Sequence, residues 1–527
     1  MVQENSEVPT TNTDMRTELA RLLGDISPTL WALMLLSLAV SVVLGYLLDI
    51  RFDEAFTLHT TANGPVYAFS QALRFEQQSP LYFVVLSLWR KIDVSIFFAR
   101  LFSVLCAPFI VLASAAAARR YVKEIEPNIV AAAVALNPHV IWGALEIRLY
   151  ALMILLSVLL LVLFYDAYLT QKQKLRARAL YILVAVLALY TQYYLGFQLV
   201  AGAVALLVLR RWRALWLYVL DMAVAGLLFA PMLFVIWSQL SEVRGQYSIA
   251  ISFSDMARTI YQNIARLFIS TDWIPFTWLK RWGLRIAELF ILVLGVWKTI
   301  RARAAEHLAL CIIVLVLVPF FCVTIFFVGG QLLQHRHMFG LLLPLILLPF
   351  SSLTIIKNRK VILGWLALTL FLNVASLYVT YRPLAKPGDF RNVAQHIMAH
   401  EKTGQPILVF HADAALPLAF YYTGPNKLVP VPQANKFETY NPNDSVLKDE
   451  AQFFELIDKL PGEPKQFWLV TDGWCAHGSL SFNCELLEKI VERHFAVESS
   501  QDFLPPMKVR LLSRKPENSR QEAERQE

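Results

Sequence analysis

The feature that most constrains this chain is a repeated one: apolar runs of bilayer length, beginning with Leu30 to Leu48, nineteen residues without a charged side chain. About 20 apolar residues in helical form cross a hydrocarbon core, and in lipid a helix is one of only two ways to satisfy the backbone. Similar runs recur as far as residue 381, so an ordinary soluble assembly is excluded. Composition agrees, with 57% hydrophobic and only 17% charged residues over 527 positions and a mean hydropathy of +0.50. The residues before the first run are polar and no small-residue cleavage site follows it, so it reads as a retained span and not as a signal peptide.

The net charge of +8 does not point to nucleic acid, because Lys and Arg fall into short clusters between the apolar runs. Five clusters, beginning at Arg119, Lys172, Arg210, Lys298 and Lys357, hold sixteen basic residues, whereas the short connections around Arg148, Tyr193 and Arg336 hold two. With the clusters placed in the cytoplasm, eleven spans thread at 29–49, 101–118, 129–145, 150–169, 179–194, 196–209, 215–237, 286–300, 306–328, 338–356 and 361–381. The N-terminus is then cytoplasmic and the C-terminus outside. The long outer segments 51–100 and 238–285 mix aromatics with Arg and Lys, as in "SPLYFVVLSLW" and "IARLFISTDWIPFTWLKRW". They read as helices lying in the interface plane.

After "RPLAKPG" (Arg382 to Gly388) short apolar runs alternate with amphipathic stretches, the pattern of a small α/β domain. The fold class is therefore an α-helical polytopic membrane protein with a C-terminal α/β domain. Its expected parts are a cytoplasmic segment 1–28, a membrane domain 29–381, an outer domain 382–515 and a polar tail 516–527. Cys475 and Cys484 share the outer domain and could pair.

Polar residues gather on the outer side: Asp53 and Glu54 after the first span, Glu146, Arg148 and Tyr150 in "EIRLY", and His335, Arg336 and His337 in "QLLQHRHM". Ionisable groups at membrane level are costly unless solvated, paired or functional. A shielded carboxylate there can take the proton of an attacking hydroxyl, and an arginine can hold a leaving phosphate.

"RFDEAFTLHTT", "QQSPLYFVVLSLW", "FFARLFSVL", "EIRLYALMILLSVL", "YTQYYLGFQLV" and "HRHMFGLLLPLILL", in that order, resemble the landmarks of the GT-C superfamily. The branch resembled contains bacterial protein O-mannosyltransferase-like enzymes and the aminoarabinose transferase that modifies lipid A. The resemblance covers most of residues 29–381 and implies an inverting glycosyltransferase using a polyprenyl-phosphate-linked sugar and a hydroxyl acceptor, in a bacterial-type inner membrane. It places the general base at Asp53, with Glu54 beside it, and a phosphate contact at Arg336; the expected site adds Arg148 on the phosphate and Glu54, Gln78 and Tyr82 positioning substrates. The family's His-Pro-Pro-Leu-Tyr element falls on Gln78 to Tyr82, where Pro-Leu-Tyr is kept and the histidine and first proline are absent. The family's Arg-Tyr pair becomes Arg336 and His337. "DFRNVAQHI" resembles the opening of the outer domain in bacterial relatives.

Other readings are weaker. His396 and His400, four apart on a helix, lack a third ligand and read as a solvated face, so no metal or other cofactor is expected. Tyr82, Tyr150, Tyr193 and Tyr194 suit a sugar pocket but also a membrane interface. A transporter of lipid-linked sugar would need repeats or charged mid-membrane helices. Only Asp221, in the seventh expected span, hints at that. An anchor for a binding domain would need only one span.

Overall fold

The computed structural model describes residues 26–171, 174–246, 252–269, 282–302, 304–328, 334–460, 464–477 and 480–515. The expected N-terminal segment up to residue 25, positions 270–281 of the second interfacial segment and the tail 516–527 lie outside the described residues. Helix α1 (Pro28–Leu47) starts where the Ser27 hydroxyl accepts from the Leu30 N–H and proline occupies the first turn. The first long segment folds into α2 (Phe52–Thr60), α3 (Pro65–Arg74) and α4 (Leu81–Trp89), none long enough to cross a bilayer. After α5 (Ile96–Tyr121), the third expected span is broken into α6 (Pro127–Ala135) and α7 (Pro138–Leu145), which meet at 52°. Pro138 cannot continue the hydrogen-bond ladder, and the Asn137 side chain caps α7 by accepting from the N–H groups of His139 and Val140.

The bundle continues with α8 (Tyr150–Phe164), extended by a π-helical turn to Leu169, then α9 (Leu175–Thr191), α10 (Leu195–Val208) and α11 (Trp212–Gln246). It closes with α12 (Phe253–Phe268), α13 (Leu284–Ala302), α14 (Ala305–Val328), a 3₁₀ turn His335–Leu341, α15 (Leu342–Leu353) and α16 (Arg359–Tyr381). This is a polytopic helical membrane protein, with fewer helices of full spanning length than the eleven spans expected. Among the described residues, seven helical segments are long and apolar enough to cross, or eight if the bent pair α6–α7 is one span. The remaining three fall short for visible reasons: α9 and α10 have 17 and 14 residues, and α13 carries Arg285, Glu288, Lys298 and Arg301.

Helix α12 is amphipathic and rests on the bundle. Its buried stripe, Ile260, Asn263 and Leu267, packs into the bundle against α14, α15 and the 3₁₀ turn. His139 Nε2 lies 2.8 Å from the Arg266 carbonyl oxygen. The ring of Phe268 reaches within 6.2 Å of Trp365 in α16.

The C-terminal domain holds α17 (Phe390–His400), β1 (Ile407–Phe410), α18 (Ala415–Ala419), β2 (Leu428–Val431), α19 (Glu450–Asp458) and β3 (Gln466–Thr471). A small ribbon, β4 (Ala476–His477) with β5 (Leu480–Ser481), precedes α20 (Cys484–His494), β6 (Phe495–Asp502) and β7 (Lys508–Arg514). The five-stranded sheet runs β2-β1-β3-β7-β6, with β1 parallel to both neighbours and β6 and β7 antiparallel. One face is covered by α17 and α18 through Phe390, Val393 and Leu418, the other by α19 and α20 through Phe453, Ile457 and Leu487. Cys475 and Cys484 form a disulfide, their Cα atoms 5.5 Å apart.

An ion pair inside the bundle joins α9 to α11. Asp221 on α11 accepts two 2.7 Å hydrogen bonds from the Arg178 guanidinium on α9 and a third from the Tyr168 hydroxyl. Removing one partner of a buried ion pair strands the other, at a cost of roughly 3–5 kcal/mol. Arg178→Met is therefore expected to lower the melting temperature in detergent clearly, and Arg178→Met combined with Asp221→Asn to recover most of it. Equal melting temperatures for the single and double variants would show that the pair does not carry this packing.

Candidate active site

Below α1 the chain turns through Asp49, Ile50 and Arg51 into α2, and Glu54 closes that turn by accepting from the Arg51 N–H at 3.0 Å. Glu54 is fully buried. Its other contacts come from three further segments: the Arg100 guanidinium on α5 at 3.0 Å, the Ile147 N–H at 3.1 Å and the Lys386 ammonium at 2.6 Å. Lys386 also lies 3.1 Å from Glu146, and the two Asp49 oxygens accept from the N–H groups of Lys386 and Phe390. Burial alone would raise Glu54, but Lys386 and Arg100 hold its carboxyl below the usual range. Burial wins at Glu146, which is raised despite Lys386, and at Asp49, which is pushed up to about 6.

Asp53, one residue earlier on α2, faces a cavity of about 560 Å³. Its Oδ2 accepts from Arg336 Nη1 at 3.0 Å, and the two side chains are 34% and 25% exposed. Arg336 in turn lies over the Tyr150 ring, 5.7 Å from its centre. The turn between α7 and α8 brings in Arg148, which donates to Glu76 at 2.5 Å, to the Thr57 hydroxyl at 2.9 Å and to the Asp53 carbonyl at 3.4 Å. Burial opposes ionisation of Asp53, yet Arg336, Arg148 and Arg51 outweigh it and hold the carboxyl at about 2. Glu76 is raised by its burial, against the pull of Arg148.

The C-terminal domain closes the opposite wall with Asp413, Tyr440, Trp474 and Ala476. The stretch "TDGWC" explains how Trp474 is aimed. Asp472 accepts from the Trp474 N–H at 2.9 Å, Gly473 takes the left-handed φ of +68°, and Cys475 is tied to Cys484. A side chain at Gly473 would also meet Pro506 at 2.4 Å. Trp474 thereby packs on Phe52, ring centres 4.8 Å apart. Behind it His411 is buried between Asp472 (2.9 Å) and Asp413 (3.4 Å). Burial disfavours its charge, but the two carboxylates prevail and push His411 up to about 10.

Of the residues singled out for a site in the sequence, the cavity gathers Asp53, Gln78, Arg148, Tyr150, Tyr193, Tyr194, Arg336 and His337. Four do not line it. Glu54 and Glu146 are engaged instead in the ion cluster beneath α2. Tyr82 is buried with its hydroxyl 3.2 Å from Ser103, and His335 packs among His139, Trp142 and Phe339. Glu76 and the wall of the C-terminal domain were not singled out, although the acidic residue two before Gln78 and the "DGWC" turn were visible signals. Among the described residues no three His, Cys, Asp or Glu side chains are grouped to hold a metal ion. A second, apolar cavity of about 460 Å³ runs between α12, α13, α14 and α15, lined by Ile264, Phe268, Leu292, Val296, Leu315 and Leu345 among others.

No family model and no curated protein matches the chain by sequence. Structures do match. ArnT from Cupriavidus metallidurans bound to undecaprenyl phosphate aligns with a TM-score of 0.56 at 14% identity, over 92% of this chain and 98% of that one. Its apo state gives 0.54 at 14% identity, over 90% and 97%. The Archaeoglobus fulgidus oligosaccharyltransferase tethered with an acceptor peptide reaches 0.48 at 11% identity, over 89% of this chain and 72% of that one. At 14% identity the shared property is the fold, and the helical bundle and C-terminal domain of this chain together have the fold of the ArnT structures.

Two outcomes follow. Glu54→Gln leaves Arg100 without its anion and Lys386 with Glu146 alone, so the folded state in detergent should lose about 3 kcal/mol or more, while Asp53→Asn, open to the cavity, should cost much less. Similar losses for both would refute the division of labour between the neighbours. His411 has its pKa raised above its ordinary 6.5, so its pairing stabilises fully below pH 6.5 and is lost as the pH rises through about 10. His411→Gln should therefore lose less stability than wild type between those values in a thermal series. An identical pH slope would count against the pairing.

Proposed function

We propose that the chain is an inverting glycosyltransferase that moves a sugar from a polyprenyl-phosphate-linked donor to a hydroxyl acceptor. The observation that carries this reading is the Asp53–Arg336 pair in a cavity shared by the helical bundle and the C-terminal domain. Its fold is that of a protein whose structure holds undecaprenyl phosphate. The donor's phosphate takes over Arg336 from Asp53, and Arg148 adds positive charge from the same wall. Asp53, released from its cation, gains basicity as the donor settles. The acceptor oxygen then attacks the anomeric carbon from the face opposite the phosphate and its proton passes to Asp53. The carbon–oxygen bond to phosphate breaks with its electron pair leaving on the phosphate. The apolar cavity against α12 gives the polyprenyl chain a berth, since α12 packs on the turn that carries Arg336.

In this reading the bundle sits in a bacterial-type inner or cytoplasmic membrane, with the basic clusters in the cytoplasm and the C-terminal domain outside. Asp221 does not favour a transporter, because Arg178 and Tyr168 occupy it fully.

Purified protein in detergent, given a panel of polyprenyl-phosphate sugars with candidate acceptors, should release polyprenyl phosphate. Asp53→Asn should cut that release by about a hundredfold to ten-thousandfold, the usual worth of a general base. Wild-type turnover in this variant would remove Asp53 from the chemistry.

A further inference from the structure

We infer that the cavity wall supplied by the C-terminal domain is the acceptor subsite and that it takes a carbohydrate, with Trp474 as the platform for a sugar ring and Asp413 receiving its hydroxyl hydrogen bonds. The inference deepens the glycosyltransferase reading and rests on it. Position is the first argument. Phe52 is the residue before Asp53, and its ring lies 4.8 Å from Trp474 and 6.1 Å from His411. Trp474 and Asp53 line the same cavity, so a group resting on Trp474 shares it with the base that would deprotonate it, while both guanidiniums stand on the wall built by the membrane helices. The donor's phosphate belongs to that wall, and the acceptor to the other.

Chemistry is the second argument. An aromatic face covers the C–H surface of a sugar ring, and a fixed carboxylate orients its hydroxyls. Asp413 is 3% exposed yet borders the cavity, a costly place for a carboxylate unless it is paired and oriented. It is both. His411 Nε2 stands 3.4 Å behind it, anchored in turn at 2.9 Å by Asp472, and the Tyr440 hydroxyl donates to it at 3.4 Å. Asp472 also fixes Trp474 through its N–H, so one aspartate sets both the platform and, through His411, the carboxylate. Tyr440 meanwhile packs against Phe56 and Phe75, which border the same cavity from α2 and the end of α3. The wall is thus built as a unit with α2.

The test uses the full chain in detergent and two probes. Binding of a panel of methyl glycosides at millimolar concentrations is read by saturation-transfer NMR, and binding of undecaprenyl phosphate by native mass spectrometry. Wild type should bind at least one glycoside. Trp474→Ala and Asp413→Asn should each weaken that binding about tenfold or more, Trp474→Phe should retain most of it, and all should bind undecaprenyl phosphate as wild type does. Glycoside binding unchanged in both Trp474→Ala and Asp413→Asn would overturn the inference. So would wild-type protein that binds no glycoside, with or without binding a serine- or threonine-bearing peptide. Failure of wild type to bind undecaprenyl phosphate is a separate result, which removes the donor reading and this inference with it.

Discussion

The structure depends on the buried cluster around Glu54. Two cations, Arg100 and Lys386, and three carboxylates, Asp49, Glu54 and Glu146, meet where α1, α2, α5, the α7–α8 turn and the linker to the C-terminal domain converge. Charges removed from water are tolerated only when each finds partners, so the cluster forms only if all five segments arrive together. Arg100 donates as well to the carbonyl oxygens of Gly45, Leu48 and Asp49, which α1 leaves unpaired as it ends. The surplus negative charge shows in Asp49 and Glu146, which burial pushes up, while Glu54 keeps its proton off. Membrane bundle and C-terminal domain are thereby locked into one body, and the cavity between them has a defined shape.

That lock explains how adjacent acids differ in character. Successive helical residues point about 100° apart, so with Glu54 held inward Asp53 must face the cavity. There it meets Arg336, whose backbone comes from a turn almost three hundred positions away. The arrangement is a closed pair that an anionic ligand can open, because phosphate competes for the guanidinium better than a single carboxylate oxygen does. Arg148 cannot be released as easily, being held by Glu76 and Thr57. The two arginines are thus suited to different work, one exchanging partners and the other maintaining the local field.

Much of this was legible in the sequence. Apolar runs marked the helices, and "PILVFHA", "KLVPVP", "QFWLVTD" and "MKVRLL" fall on β1, β2, β3 and β7. The missed strand, β6, is a polar sheet edge with exposed residues from Glu498 onward, so no apolar pattern announces it. The eleven expected spans exceed the seven or eight full-length helices because composition does not set where a helix ends, and α9 and α10 stop at 17 and 14 residues. At the site, Asp53 and Arg336 could be named because charges at membrane level are rare. Glu54 and Glu146 share that rarity, and what separates them from Asp53 is a lysine at position 386, beyond the last span, that no local pattern connects to them. Asp413 was out of reach for a similar reason, and the "DGWC" turn marks Trp474 without placing it, since the position of both at the cavity depends on how one domain docks on another.

The central claim is that a lipid-borne phosphate and Asp53 share Arg336. The measurement that tests it most directly is a structure of the protein with undecaprenyl phosphate. The account predicts the phosphate on Arg336, with the 3.0 Å contact between Asp53 and Arg336 opened. A lipid phosphate bound elsewhere, with that contact intact, would contradict it.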